Sequence, residues 1–287
     1  MVTDYFGSNC EALARKRLFL LDMDGTIYNE NSIFPGTLEF LDMIRKIGGK
    51  YIFITNNSSK SVDDYIQKVQ KMGIAATEEN FLTSTQATAM YLKKNFPGGK
   101  VYVQATESCV RELRSAGIDV TLEVDRNAKA VLLGFDLEIT GAKLRNTCEM
   151  LGFKDVAYIA TNPDLVCPVS FGYVPDCGSI AEMIYNATGR RPKFIGKPEP
   201  TMIEIAREKT GCSKPETVAV GDRIYTDIKA GLNAGITSVL VLSGESTLKT
   251  IQTSEDEPTL TFSDVKEIAE KMKQLLNEAD RDRGVKV

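Results

Sequence analysis

The chain has 287 residues, of which 43% are hydrophobic, 26% charged and 8% aromatic, enough for a sizeable core in one large domain or two ordinary ones. With 35 basic and 39 acidic residues the net charge is −4, which gives no electrostatic reason to expect nucleic acid as the main ligand. Histidine is absent. Ser-His-Asp triads, Cys-His dyads, a histidine base and histidine-ligated zinc are therefore excluded, and any chemistry has to run on carboxylates, Lys, Ser/Thr, Tyr, Cys or a bound cofactor. The cysteines Cys10, Cys109, Cys148, Cys167, Cys177 and Cys212 form no C-x-x-C pair and read as free thiols in a reducing compartment. The opening residues carry no apolar run of secretory length, and no stretch approaches the roughly 18–20 apolar residues of a membrane span. A cytoplasmic protein with neither membrane nor nucleic-acid partner is the expectation.

In chain order, the apolar run Leu18-Phe19-Leu20-Leu21 predicts a strand buried on both faces, stopping at Asp22-Met23-Asp24-Gly25-Thr26. A helix is predicted over about 37–47, then the buried strand Tyr51-Ile52-Phe53-Ile54 stopping at Thr55-Asn56-Asn57, then a helix over about 61–72. The middle, roughly 84–190, has its own alternation: Val101–Val103, Ala130–Leu133 and Val156–Ala160 predict strands with helical patterns between them. Ser179 with Glu182 has the spacing of a capping box for a helix over about 180–188, and Arg190-Arg191-Pro192-Lys193 reads as solvated linker. Phe194-Ile195-Gly196 before Lys197-Pro198, a helix near 200–210, a strand Thr217–Val220 stopping at Gly221-Asp222, a helix near 225–234 and a strand Thr237–Leu242 repeat the opening rhythm. The tail from about Asp280 reads as a frayed end. The alternation predicts an α/β protein: a doubly wound parallel-sheet core from 1–83 and 191–287, with 84–190 inserted as a second α/β module.

Open α/β sheets bind ligands outside the carboxyl ends of their strands. Four predicted strands end in residues suited to phosphate chemistry: Asp22 with Asp24, Thr55 with Asn56, Lys197, and Asp222 with Asp227. Each alone is ordinary. D-G-T is a common turn, a lysine before proline is a loop lysine, and Asp227 reads equally as a helix-face residue in a solvated first turn. Together, two carboxylate pairs, a hydroxyl and an ammonium are what metal-assisted phosphoryl transfer needs.

In this order the clusters Asp22-x-Asp24-Gly-Thr26, Thr55, Lys197 and Gly221-Asp222-x-x-x-x-Asp227 resemble the four motifs of the haloacid dehalogenase superfamily. The long insertion, with Thr55-Asn56-Asn57-Ser58, Thr161-Asn162-Pro163-Asp164 and Gly196-Lys197-Pro198, is similar to the NagD-like, 4-nitrophenylphosphatase-like branch. The resemblance implies a Rossmann-like core with an inserted α/β cap, and a Mg²⁺-dependent phosphatase acting on a small phosphorylated metabolite. In that family's arrangement Asp22 attacks phosphorus and becomes an aspartyl phosphate, and Asp24 is the general acid and base. Mg²⁺ sits on the Asp22 carboxylate, the Asp24 main-chain carbonyl and Asp222, with Asp227 auxiliary, while Thr55, Asn56 and Lys197 bind the phosphoryl group. Members that break C–halogen or C–P bonds characteristically lack the second Asp, so Asp24 favours phosphate esters. Asn162 and Asp164 are candidates for reaching substrate from the cap, or an ordinary Asn-Pro-Asp turn. Caps of this branch often help make dimers, which leaves a homodimer through the cap open. Two rivals stay in view. One is a phosphotransferase or mutase that hands the phosphoryl group to another hydroxyl; mutase branches usually carry a small helical cap after the first motif. The other is a phospho-ligand binding protein without turnover, which loss of Asp22 or Asp24 would favour, and both are present. The physiological substrate has no sequence code.

Overall fold

The computed structural model describes residues 1–169 and 171–282. The chain forms two compact units, one from Met1–Ile54, Ile66–Phe81 and the chain from Ile203 on, the other from Thr55–Tyr65 and Leu82–Met202.

The larger sheet runs, edge to edge, Leu260–Phe262, Thr237–Val241, Thr217–Gly221, Leu18–Leu21, Lys50–Thr55, Phe81–Thr83. The pairings from Leu260–Phe262 across to Lys50–Thr55 are all parallel. Leu18–Leu21 is wholly buried, which is why it reads as an unbroken apolar run rather than an alternating one. Each such side chain contributes about 1.5–3 kcal/mol of burial. In register, Leu21 lies opposite Val220 on one side and Phe53 on the other. From Leu18–Leu21 the chain adds Lys50–Thr55 on one flank and much later Thr217–Gly221 on the other. The strand order therefore reverses between Leu18–Leu21 and Thr217–Gly221, the place where a doubly wound sheet opens a ligand crevice. Asp22 and Asp222 are the first residues after those two strands.

The predicted helix at 37–47 is Thr37–Lys46, with Phe40, Leu41, Met43 and Ile44 buried, and it packs against Val265–Asp282. That last helix keeps Asp280–Asp282 helical; the rest of the expected frayed tail, 283–287, lies outside the described residues. The helix predicted at 225–234 starts instead as a wide π-helical turn, Ile224–Ile228. In it the Ile228 N–H reaches back five residues to the Arg223 carbonyl (3.2 Å) before the chain tightens into Lys229–Ala234. Such widened turns place a side chain where a regular helix would not.

The second unit has a five-stranded sheet ordered Lys193–Phe194, Ala157–Ala160, Ala130–Leu133, Val101–Gln104, Val120–Thr121, parallel throughout. Tyr102, Val131, Leu133, Phe135, Met150, Tyr158, Ile180 and Ile184 form its core. Lys193–Phe194, read from the sequence as the start of the returning core, is an edge strand here. It pairs with Ile159 and Ala160, and Phe194 packs on this unit's apolar cluster.

Nor are Arg190 and Arg191 solvated linker. Arg190 donates to the carbonyls of Leu151, Phe153 and Val156, satisfying groups at and beyond the end of the Gly141–Leu151 helix. Arg191 pairs with Glu182 and lies over the Tyr185 ring. This occupies Glu182, so the capping box does not form. The helix begins earlier, at Cys177, where the Asp176 carboxylate accepts the Cys177 N–H, and Ser179 donates to the Leu165 carbonyl. Among the described residues no helix is long and apolar enough to cross a membrane.

Candidate active site

Asp22 leaves its strand with its N–H still bonded to the Val220 carbonyl (2.9 Å), so its side chain projects from a fixed backbone. Carboxylate oxygens of Asp22, Asp222 and Asp227 lie within 4.8 Å of one another. Asp222 and Asp227 are each 2% exposed. Asp227 is therefore not a solvated helix-face residue: the wide turn carries it inward, where Oδ2 accepts the Arg223 N–H (3.2 Å). Asp222 Oδ2 accepts the Glu245 N–H at 2.7 Å, and its carboxylate fills the space that Gly25 and Gly244 leave. A Cβ on Gly244 would fall 2.0 Å from that oxygen and one on Gly25 2.5 Å from it, so neither position admits a side chain unless Asp222 moves. Gly25 also has φ +86°, a region that favours glycine.

Each pair of carboxylates at this separation repels by roughly 3–4 kcal/mol at an effective dielectric of ~20. Arg223 offsets part of this. Burial opposes its charge, but Asp22, Tyr225, Asp222 and Glu245 outweigh burial and hold the guanidinium firmly protonated. Its Nε lies 2.9 Å from Glu245 Oε2, a charge contact off the N–H line rather than an aligned hydrogen bond, and the Tyr225 hydroxyl donates to Glu245 Oε1 (2.9 Å). A donor set of oxygens alone fits a hard divalent cation such as Mg²⁺ and is a poor set for zinc or copper.

The Asp24 carboxyl group stands apart from this cluster. Its Oδ2 accepts the Tyr28 hydroxyl (3.3 Å), and Lys68 Nζ lies 3.6 Å from Oδ1. Burial pushes the Cys109 and Cys177 thiols up to about 12, so neither of these two is poised as a nucleophile.

Thr55, Asn56 and Lys197 belong to the second unit. Thr55 Oγ1 accepts the Asn57 N–H (3.2 Å) and, as a hydroxyl, can still donate its own proton. The Asn56 amide clasps the Lys197 main chain, accepting its N–H at 2.8 Å and donating to its carbonyl at 2.8 Å. Asn56 Nδ2 also donates to Asp164 Oδ2 (2.8 Å), and Asn162 Nδ2 donates to Asp164 Oδ2 (2.9 Å) and Asp176 Oδ1 (3.0 Å). Ser58 Oγ contacts Thr161 Oγ1 at 2.9 Å and accepts the Phe135 N–H at 2.9 Å. The stretches 55–58, 161–164 and 196–198 are thus one buried knot, Asn162 is spent within it, and Lys197, 3% exposed, is no solvent-facing loop lysine. Asn56→Ala should remove one hydrogen-bond partner from each Lys197 main-chain group and cost about 1–3 kcal/mol. Denaturant melts check this, and an unchanged midpoint would contradict the knot's structural weight.

Sequence reasoning missed Arg223, Lys68 and the Gly244-Glu245 pair. Arg223 was visible as the residue after Asp222, and Lys68 follows Val62 and Tyr65 on the inward side of its helix. Gly244 gave no signal.

The sequence model of the haloacid dehalogenase-like hydrolases matches residues 19–119, and a HAD-hydrolase-like model matches residues 194–268. An acid sugar phosphatase of Staphylococcus aureus is 35% identical over 252 residues, 88% of this chain and 96% of the relative. The chain belongs to the haloacid dehalogenase-like hydrolases. A 4-nitrophenylphosphatase from Thermotoga maritima superposes with TM-score 0.86 at 38% identity, covering 90% of this chain and 98% of that one. A glycerol phosphate phosphatase from Mycobacterium tuberculosis in complex with magnesium superposes with TM-score 0.85 at 26% identity, over 93% of this chain and 80% of that one. Within the family this hydrolase falls in the NagD-like, 4-nitrophenylphosphatase-like branch, and it is a phosphoric monoester hydrolase.

Proposed function

We propose that this hydrolase cleaves small phosphate monoesters through an aspartyl phosphate on Asp22, with Mg²⁺ as its metal. The observation that carries the reading is the convergence of Asp22, Asp222 and Asp227 where the strand order reverses. Relatives named for sugar phosphate, 4-nitrophenyl phosphate and glycerol phosphate support a small monoester, and the magnesium complex of one supports the metal. Held by Asp22, the Asp24 main-chain carbonyl and Asp222, with Asp227 auxiliary, Mg²⁺ would supply the positive charge that lets a carboxylate approach a phosphate dianion.

An Asp22 oxygen forms the new bond to phosphorus as the ester P–O bond breaks, and that bond's electron pair leaves on the ester oxygen, which takes a proton from Asp24. Asp24, now a carboxylate, accepts a proton from water, whose oxygen attacks the aspartyl phosphate and releases inorganic phosphate. The Thr55 hydroxyl, the Asn56 main-chain N–H and the Lys197 ammonium donate to phosphoryl oxygens, and the Asn56 amide keeps the Lys197 main chain in place. The insertion, approximately 84–190, is assigned the selection of the leaving group and the exclusion of bulk water.

Brief exposure to 4-nitrophenyl phosphate, an acid quench and peptide mapping test the covalent step. A phosphoryl group on Asp22 is the expected result. A burst of 4-nitrophenolate with no label on Asp22, or with label on another side chain, would overturn it.

A further inference from the structure

The Asp24 side chain is 54% exposed. An exposed carboxyl group turns freely about its side-chain bonds, and a proton donor that has to meet one oxygen cannot do so. Two contacts from different elements restrain it. Tyr28 is fully buried and is fixed by the tight turn that follows Asp22: the Gly25 N–H donates to the Tyr28 carbonyl (2.9 Å), and the Met23 carbonyl accepts from Ile27 (2.8 Å) and Tyr28 (3.2 Å). Its hydroxyl donates to Asp24 Oδ2 at 3.3 Å. Lys68, on the helix Val62–Lys71, sets its ammonium 3.6 Å from Oδ1 and 3.8 Å from the centre of the Tyr28 ring. The ring attracts the cation, so a buried aromatic holds the ammonium, while the ammonium and the hydroxyl hold opposite oxygens of one carboxyl group.

We propose that Lys68 and Tyr28 are positioning residues that fix the plane of the Asp24 carboxyl group for proton transfer to the leaving oxygen. This rests on the reading of Asp24 as the general acid. As the ester P–O bond breaks, its electron pair passes to the leaving oxygen, which takes the carboxyl proton; Asp24 becomes a carboxylate, and Lys68 stays an ammonium throughout. A leaving group that departs well as an anion has little need of that proton, and a poor one depends on it. The cost of losing the two contacts therefore scales with the leaving group. A surface ion pair with no catalytic task produces no such grading.

The test compares kcat/KM on 4-nitrophenyl phosphate with that on phenyl phosphate, nearly the same shape but with a much poorer leaving group. Lys68→Met should lose about tenfold more on phenyl phosphate than on 4-nitrophenyl phosphate, and Lys68→Arg should recover most of the difference. Tyr28→Phe, which keeps the ring beneath the ammonium, should shift in the same direction by less. Asp24→Asn separates the two layers of the argument. If it loses selectively on phenyl phosphate while Lys68→Met and Tyr28→Phe lose equally on both substrates, the general acid stands and the positioning role is overturned. If Asp24→Asn itself loses equally on both, the general-acid reading fails and takes the positioning role with it. Should Lys68→Met fail to fold by thermal melt, Tyr28→Phe decides alone: a phenyl-selective loss supports the proposal, an equal loss overturns it.

Discussion

Asp22→Asn should lower turnover by on the order of 10⁴-fold or more, the scale seen when a covalent nucleophile is removed, and should do so without unfolding the protein. Asparagine has the same shape, and the main-chain bond from residue 22 to the Val220 carbonyl does not depend on the side chain. The change also removes one of three carboxylates crowded within 4.8 Å. Relief of repulsion is opposed by the loss of one of the acids facing Arg223. Without divalent metal the two effects should largely offset, leaving the melting temperature close to that of the unaltered protein. Asp24→Asn should cost about 10²–10⁴-fold, the usual worth of a positioned acid and base. With 4-nitrophenyl phosphate it should also accumulate phosphorylated protein, because departure of that leaving group suffers less than attack by water. Near-normal turnover by Asp22→Asn in a preparation free of other phosphatases would sink the mechanism.

What the sequence discloses and what it hides follow from the same physics. Leu18–Leu21, Tyr51–Ile54 and Ala130–Leu133 are legible because parallel strands covered on both faces need apolar side chains at every position. The convergence of Asp22, Asp222 and Asp227 is foreshadowed because Asp22 and Asp222 directly follow buried strands and Asp227 lies in the turn after the second of them. The edge strands Phe81–Thr83, Val120–Thr121 and Leu260–Phe262 are two or three residues long, too short for any period to show. Lys193–Phe194 is chosen by its pairing with Ile159 and Ala160, which no local pattern encodes. Asn56 and Asn162 look the same in a turn as in a buried knot, since an amide's value lies in what faces it. Gly244 acts through the atom it lacks, and Lys68 through a carboxylate far away in the chain.

Chelation should take activity to background, and Mg²⁺ should restore it. Asp22, Asp222 and Asp227 converge within 4.8 Å of one another, so a divalent cation both relieves their mutual repulsion and completes the donor set. Binding to the folded state alone stabilises by about 2.7 kcal/mol at a hundredfold excess over Kd. Mg²⁺ should therefore raise the melting temperature of substrate-free protein, a readout independent of turnover. Ca²⁺ should raise it too yet support little catalysis, because it accepts more oxygens at about 2.3–2.6 Å and does not impose the strict octahedron of Mg²⁺ at about 2.0–2.1 Å. Zn²⁺ should not be required, with no histidine in the chain and no thiol in the carboxylate cluster. Gly244→Ala probes the same centre from the protein side. Its methyl group would meet Asp222 Oδ2 at 2.0 Å, so the loop has to shift at a cost of about 1–3 kcal/mol, and Asp222 shifts with it. The Mg²⁺ concentration for half-maximal activity should then rise about tenfold, as for groups that orient a metal ligand, while 4-nitrophenyl phosphate at saturating Mg²⁺ is still hydrolysed. Full activity in excess chelator, or a melting temperature indifferent to Mg²⁺, would mean that the three carboxylates are held together for some purpose other than a metal.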